Sequence, residues 1–343
     1  MNDELSYVLV TPYTIAKSRT GGVIARLLSR LDLELAGAQM ILPDDAFVRE
    51  YSQLLKQQAA IKKFKILINY VEQNFVSGGR SHRTLLLLFR GKGACKKLVD
   101  TCGAIHAEST GVEALAGETI RDTYADLIVS PGDPSVVTYF EPAVLTPRNQ
   151  RDADKDLALI ARFLKGRENI VSNITYPDPS KVEQTLVILK PDNWGYASSR
   201  PGTIIDMFSR TGMRIVGIKI HQFTLEEALE FYGPVEAALK KKLAPAFGAK
   251  AAELLEQEFS VKFGEGAKKI LVETLGEEVA GSQFRDIIEF MSGRRPGTDI
   301  EKPVKCMILI YEGEGAVEKI REVLGPTDPL KAPGGTVRRD FGS

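Results

Sequence analysis

The sequence predicts an α+β protein built twice over. Three observations lead there: a stretch near the start recurs in altered form in the second half, both copies alternate strand and helix periodicities, and 343 residues suit two domains better than one. Laying TGGVIARLLSRLDLELAGAQMI (20–41) over RPGTIIDMFSRTGMRIVGIKIH (200–221) gives identities at Gly22/Gly202, Ile24/Ile204, Ser29/Ser209, Arg30/Arg210 and Gly37/Gly217. Further on, GETIRDTY (117–124) matches GGTVRRDF (334–341). The first match has an offset of 180 and the second of 217, so the second half holds about 37 additional residues between them. Repeats of this length are duplicated domains rather than solenoid units.

The elements follow in order. SYVLVTPYT (6–14) and QTLVILKPDN (184–193) each begin as an apolar strand, the first running into Thr11 and the second into Lys190. Residues 200–211 set Ile204, Ile205, Met207 and Phe208 on a helical face, and Gly212 supplies a left-handed stop. MRIVGIKIHQF (213–223) alternates as a strand. Thr224 with Glu227 three residues on has capping-box spacing and opens a helix through Tyr232.

Residues 235–281, rich in Ala, Leu, Glu and Lys, carry the surplus length and read as a helical insertion. Lys240, Lys241 and Lys242 within it are expected on a solvated helix face. VKCMILIYEG (304–313) is a strand, 315–325 a helix closed by Gly325, and PTDPLKAPGG (326–335) a loop. The prolines of TYPDPSKVEQ (175–184) mark a linker, giving domains at 1–168 and 184–343 joined by 169–183.

Hydrophobic residues at 43% and charged residues at 26% provide for ordinary cores. Lys+Arg and Asp+Glu stand at 45 each, so no overall basic field exists to attract nucleic acid or an anionic membrane. The longest apolar run, 85–89, falls far short of the ~20 residues a spanning helix needs, and the acidic start leads directly into a strand. A cytoplasmic protein is therefore expected. Cys95 and Cys102 would lie about 10 Å apart along one helix, too far to pair, so these and Cys306 are expected reduced and buried.

The ordered set TLVILKPD, RPGTIIDMFSRTGMRIVGIKI, LGPTDP and GGTVRRDF resembles the nucleoside diphosphate kinase family. The resemblance spans most of 183–343 outside the insertion and covers 5–165 more weakly. It implies two tandem ferredoxin-like βαββαβ sandwiches with antiparallel sheets. It also implies transfer of a nucleoside triphosphate's terminal phosphate to a nucleoside diphosphate through a phosphohistidine, a form of nucleophilic catalysis. The family has no Gly-rich phosphate loop, and GKGACKK (91–97) lacks the spacing of one.

Carried over by position, the resemblance assigns Lys190 to the transferred phosphate and Tyr232 to the support of that lysine. It gives Arg321 and Thr327 to the outer phosphates, and Arg338 to a bridge between phosphates beside the histidine. Guanidinium forks suit that role because they donate parallel hydrogen bonds to phosphate oxygens. Phe284 is the candidate for stacking on the base. Mg2+ is implied as an ion held by the phosphates rather than by protein ligands. Family members assemble as hexamers, so a homo-oligomer is one expected state; a tandem chain can also mimic a dimer internally.

The family's histidine follows the GTIR-type arginine by roughly a dozen residues, on the last strand. Arg338 is followed by five residues, so the second half is expected to lack both that strand and its histidine, and to belong to a longer product. In the first half Leu145 aligns with the histidine, Thr11 with the lysine and Val99 with the outer arginine; Arg121 alone is retained. This half reads as a degenerate copy. His82, His106 and His221 all fall elsewhere and are expected in structural or solvent roles. Two readings stay open: an enzyme completed by a histidine segment, or an inactive nucleotide-binding regulatory or scaffold module.

Overall fold

The computed structural model describes residues 3–58, 65–75, 82–105, 117–299 and 301–342. The first half runs β1 (Asp3–Val10), α1 (Pro12–Ala16), α2 (Thr20–Arg30), β2 (Glu34–Ile41), α3 (Asp45–Gln57), α4 (Lys65–Asn74), β3 (Thr84–Lys92) and α5 (Ala94–Cys102). It continues through α6 (Ile120–Tyr124), β4 (Asp126–Ser130), β5 (Asp133–Glu141), β6 (Val144–Leu145) and α7 (Gln150–Leu164). The second half comprises β7 (Val182–Leu189), α8 (Arg200–Ser209), β8 (Arg214–His221), α9 (Leu225–Phe259), α10 (Glu265–Leu271) and α11 (Glu277–Ser292). It ends in β9 (Cys306–Glu314), α12 (Ala316–Leu324) and α13 (Val337–Phe341).

The chain is α+β with antiparallel sheets. The first sheet has the order β2-β3-β1-β6, with β1 pairing β3 from Asp3↔Lys92 to Val10↔Leu85 and β6 through Leu9↔Leu145. Flanked on both sides, the second part of β1 is fully buried, and Tyr7 and Leu9 share a core with Phe47, Tyr51, Leu67 and Leu86. The second sheet has the order β7-β9-β8, with β7 pairing β9 from Val182↔Glu314 to Leu189↔Met307. Among the described residues β7 has a neighbour on one side only, and Leu186 on it is exposed. The stretch SPGDPSVV (130–137), whose Pro and Gly read as a loop in the sequence, belongs instead to the hairpin β4–β5, paired from Asp126↔Glu141 to Ser130↔Asp133.

Several devices occur once in each half. Gly93 and Gly315 are left-handed N-caps of α5 and α12, at φ 66° and 62°. Glu4 and Glu183 accept from the first-turn amides of those helices, at Cys95 and Val317. Gly103 and Gly325 end them with φ 86° and 77°, and the carbonyl of each accepts from an arginine, Arg121 and Arg338 respectively. Arg30 and Arg210, identical in the sequence overlay, donate to the carbonyls of Glu118 and Gly335 in the loops before α6 and α13.

The chain divides into two compact units that are not the two halves of the sequence: 1–189 with 196–220 and 307–343 form one, and 190–195 with 221–306 the other. Within the first unit α2 packs on α8. A Cβ added at Gly202 would lie 2.1 Å from the Ala25 nitrogen and 2.4 Å from the Gly21 carbonyl oxygen, so the backbones meet directly. The segment before β7 joins the same unit, with Val171 N–H donating to the Val216 carbonyl at 2.9 Å.

The second unit is helical. Thr224 and Glu227 form the expected capping box, but α9 continues for 35 residues instead of ending near Tyr232. It runs through Pro234 and Pro245, which by propensity alone are breaks. Ala- and Leu-rich flanks and tight packing outweigh them. Gly248 lies where a Cβ would meet Val272 at 2.5 Å, and Gly276 where one would meet the Ala244 carbonyl oxygen at 2.3 Å. Lys240 pairs with Glu236 at 2.7 Å on the solvated face.

Candidate functional site

In the helical unit Lys190 is the N-cap of a single 3-10 turn, Pro191–Trp194. Its carbonyl accepts from both the amide and the side-chain Nδ2 of Asn193, each at 3.1 Å. Asn193 is buried, so this pair of bonds fixes the backbone from which the lysine projects. The ammonium is exposed, 5.9 Å from the centroid of the Phe290 ring, within cation–π range. Tyr232 is half-buried and meets Phe231 edge-on at 4.9 Å; burial raises its phenol pKa, and the Cys306 thiol adds to the shift.

Phe284 does not stand open for stacking. It is 5% exposed on the inner face of α11, with Ala280, Ile288 and Met291 buried on the same helix. Sequence alignment across an insertion of uncertain register gives no means of telling which face of α11 a given aromatic occupies. Phe290, 39% exposed, is the aromatic that Lys190 reaches.

In the other unit Arg321 projects from the exposed face of α12 and lines an open groove with Glu183, Glu318 and Glu322. Thr327 is exposed in the loop leaving Gly325, and Asp328 caps the turn that follows by accepting from the Leu330 amide at 3.0 Å. Arg338 is half-buried on α13, and its guanidinium donates to the Gly325 carbonyl. That bond joins α13 to the start of the GPTDP loop. The structure therefore brings Arg338 and the loop bearing Thr327 into one anchored assembly.

Asn193 and Arg210 were not singled out by motif. Asn193 follows the KPD that contains Lys190, and Arg210 is one of the overlay identities; each works through a backbone carbonyl, which leaves no residue-type signature.

The corresponding positions of the first half are filled in. Thr11 is a buried N-cap, its hydroxyl 3.0 Å from that of Thr14. Leu145 is buried in β6, and Val99 sits on α5. Arg121 is buried and donates to the carbonyls of Gly103 and Val144, the latter at 2.9 Å. Beside them Tyr7 donates to Asp156 Oδ2 at 2.8 Å, Tyr51 meets the Tyr7 hydroxyl at 3.0 Å, and Gln58 Nε2 donates to Asp156 at 3.0 Å. The space left among these groups is about 10 Å³.

His221 stands 3.2 Å from Glu227 Oε2 and edge-on to Phe223. The His82 carbonyl accepts from Asn173. His106 lies outside the described residues. Cys95, Cys102 and Cys306 are buried and outside any disulfide, and burial pushes the Cys102 thiol up to about 11.

Antiparallel sheets with arginine-anchored loops at their ends define the class as an α+β protein with cations on its loops. Comparison with known proteins gives the family. The family model for nucleoside diphosphate kinase matches residues 260–343. The nucleoside diphosphate kinase of Pyrobaculum aerophilum is 32% identical over 163 residues, covering 47% of this chain and 75% of that protein. That of Polynucleobacter necessarius is 30% identical over 160 residues, covering 47% and 74%. Among solved structures, the crystal structure of an NDP kinase from Pyrobaculum aerophilum aligns at 30% identity with a TM-score of 0.32, covering 47% of this chain and 76% of that one. The chain belongs to the nucleoside diphosphate kinase family. Among the described residues no helix is long and apolar enough to cross a membrane.

Proposed function

We propose that the chain is a tandem pair of nucleoside diphosphate kinase-like domains, 1–168 and 184–343 joined by 169–183, of which the second binds nucleoside di- and triphosphates. Lys190, Arg321, Thr327 and Arg338 contact the phosphates in this reading, and Tyr232 supports the lysine. Mg2+ arrives on the nucleotide, held through its phosphates. The observation that carries the reading is the anchored pair of Arg338 and the Gly325 loop within a chain of this family, because positioned cations supply most of what phosphoryl chemistry requires. The paired glycines, caps and arginines of the two halves support the tandem arrangement.

The first domain serves as scaffold. Its counterpart site is filled by Tyr7, Tyr51, Gln58 and Asp156, and 10 Å³ holds no nucleotide. Neither His82, His106 nor His221 falls at the phosphoacceptor position that the resemblance defines. The reading therefore assigns nucleotide binding to 184–343.

Calorimetric titration with Mg-ADP tests this. Lys190→Ala and Arg338→Ala should each weaken binding at least tenfold, the scale of a lost charge-assisted hydrogen bond at about 1.5–3 kcal/mol. Thr11→Ala should leave the affinity unchanged. Equal losses in all three would refute the assignment. Incubation with labelled ATP and magnesium should leave no acid-labile phosphate on this chain.

A further inference from the structure

Arg83, the residue before β3, is 4% exposed, yet its Nε and Nη1 have no hydrogen-bond partner. It borders a cavity of about 250 Å³ within the sheet-containing unit, where the α1–α2 region of the first half faces α8 and β8 of the second. Tyr311, whose hydroxyl is also buried and without a partner, lines the same space. So do Arg214 and the hydroxyl-bearing Ser18, Thr20 and Ser209, whereas no aspartate or glutamate does.

An arginine taken out of water without a counter-ion is among the costliest arrangements a protein can hold. Arg214 makes it worse by adding a like charge, while Tyr176 and Glu312 act in the opposite direction. Glu312 is itself engaged by Gln184 Nε2 at 2.7 Å. Even so, burial leaves the Arg83 guanidinium with a pKa of about 10, so it is charged at neutral pH. An unpaired guanidinium N–H can donate a charge-assisted hydrogen bond to an oxyanion, and a tyrosine hydroxyl can add a second donor.

We propose that this cavity is an anion site that receives a phosphate group on Arg83, Tyr311 and Arg214, either as free phosphate or on a small organic carrier. Bound there, the phosphate neutralises Arg83 and ties the start of β3 to β8 and β9 across the two halves of the chain. None of the residues assigned to the nucleotide lines the cavity, so the site is additional to the one proposed above.

The test is calorimetry and thermal melting with inorganic phosphate and with ribose 5-phosphate, ionic strength held constant with chloride. The wild-type chain should bind one phosphate saturably, with a melting temperature that rises accordingly. Arg83→Met should lose at least tenfold in affinity. Arg214→Gln, at an exposed position that folding tolerates, should lose severalfold even if Arg83→Met proves insoluble. Lys190→Ala should bind as the wild type does, which separates this site from the nucleotide site. Response to inorganic phosphate alone identifies the free ion as ligand, and response to both probes a carried phosphate. Absence of saturable binding by either probe overturns the proposal. So does binding that survives Arg83→Met and Arg214→Gln, or that is lost in Lys190→Ala.

Discussion

Replacing Gly202 with valine is expected to destabilise the chain by about 3 kcal/mol or more, the upper range for overpacking a close contact. The reason is that the clash is with backbone. The first added carbon would stand 2.1 Å from the Ala25 nitrogen, and no rotamer change relieves a collision with a helix main chain. Relief requires α8 to withdraw from α2, which opens the seam between the halves. Gly212→Ala provides the contrast: its φ of 72° strains any L-residue, but nothing lies within 4 Å of the added Cβ, so about 1 kcal/mol is expected. Urea denaturation distinguishes the two. If Gly202→Val loses no more than Gly212→Ala, the helices do not meet as described.

Asp156→Ala is expected to cost about 3 kcal/mol, because it strands the Tyr7 hydroxyl and the Gln58 amide in the core without their acceptor. The wild-type carboxyl also makes stability depend on pH. Burial pushes it up to about 6 against the opposing hydrogen bonds of Tyr7 and Gln58, with Asp152 raising it further and Lys155 lowering it. A carboxyl with a folded value above its unfolded value of about 3.9 holds its proton more tightly in the folded state. Its contribution is thus most favourable below about pH 4 and declines as pH rises to 6, by roughly 3 kcal/mol for a shift of about two units. Asp156→Asn should abolish that slope and be at least as stable as wild type at pH 7. A wild-type profile that is flat between pH 4 and 6 would refute the account.

Local chemistry was the legible part of the fold. The Thr224–Glu227 capping box, the left-handed stops at Gly212 and Gly325, and the strands at 182–189, 214–221 and 306–314 follow from residue type and period. What stayed hidden depends on packing. The length of α9 is set by small residues that accept a neighbouring helix, not by the prolines that interrupt its propensity. The β4–β5 hairpin lies in a stretch whose Pro and Gly read as a loop. At the site, the charged residues of the loops could be read from motifs, whereas the burial of Phe284 depends on which side of α11 faces inward. Arg83 drew no notice, since a lone arginine before a strand looks like a surface residue until its surroundings are known.

The three buried thiols make the molecule its own clock. Cys95 and Cys102 sit on α5 in the first half and Cys306 at the head of β9 in the second, none of them in a disulfide. Because a thiol reacts only as an accessible thiolate, an alkylating reagent modifies each one at the rate at which its surroundings open. Labelling followed by peptide mass analysis therefore times the opening of each half separately, with no engineered probe. Cys95, 4% exposed, is expected to be modified before Cys102, which is fully buried on the same helix.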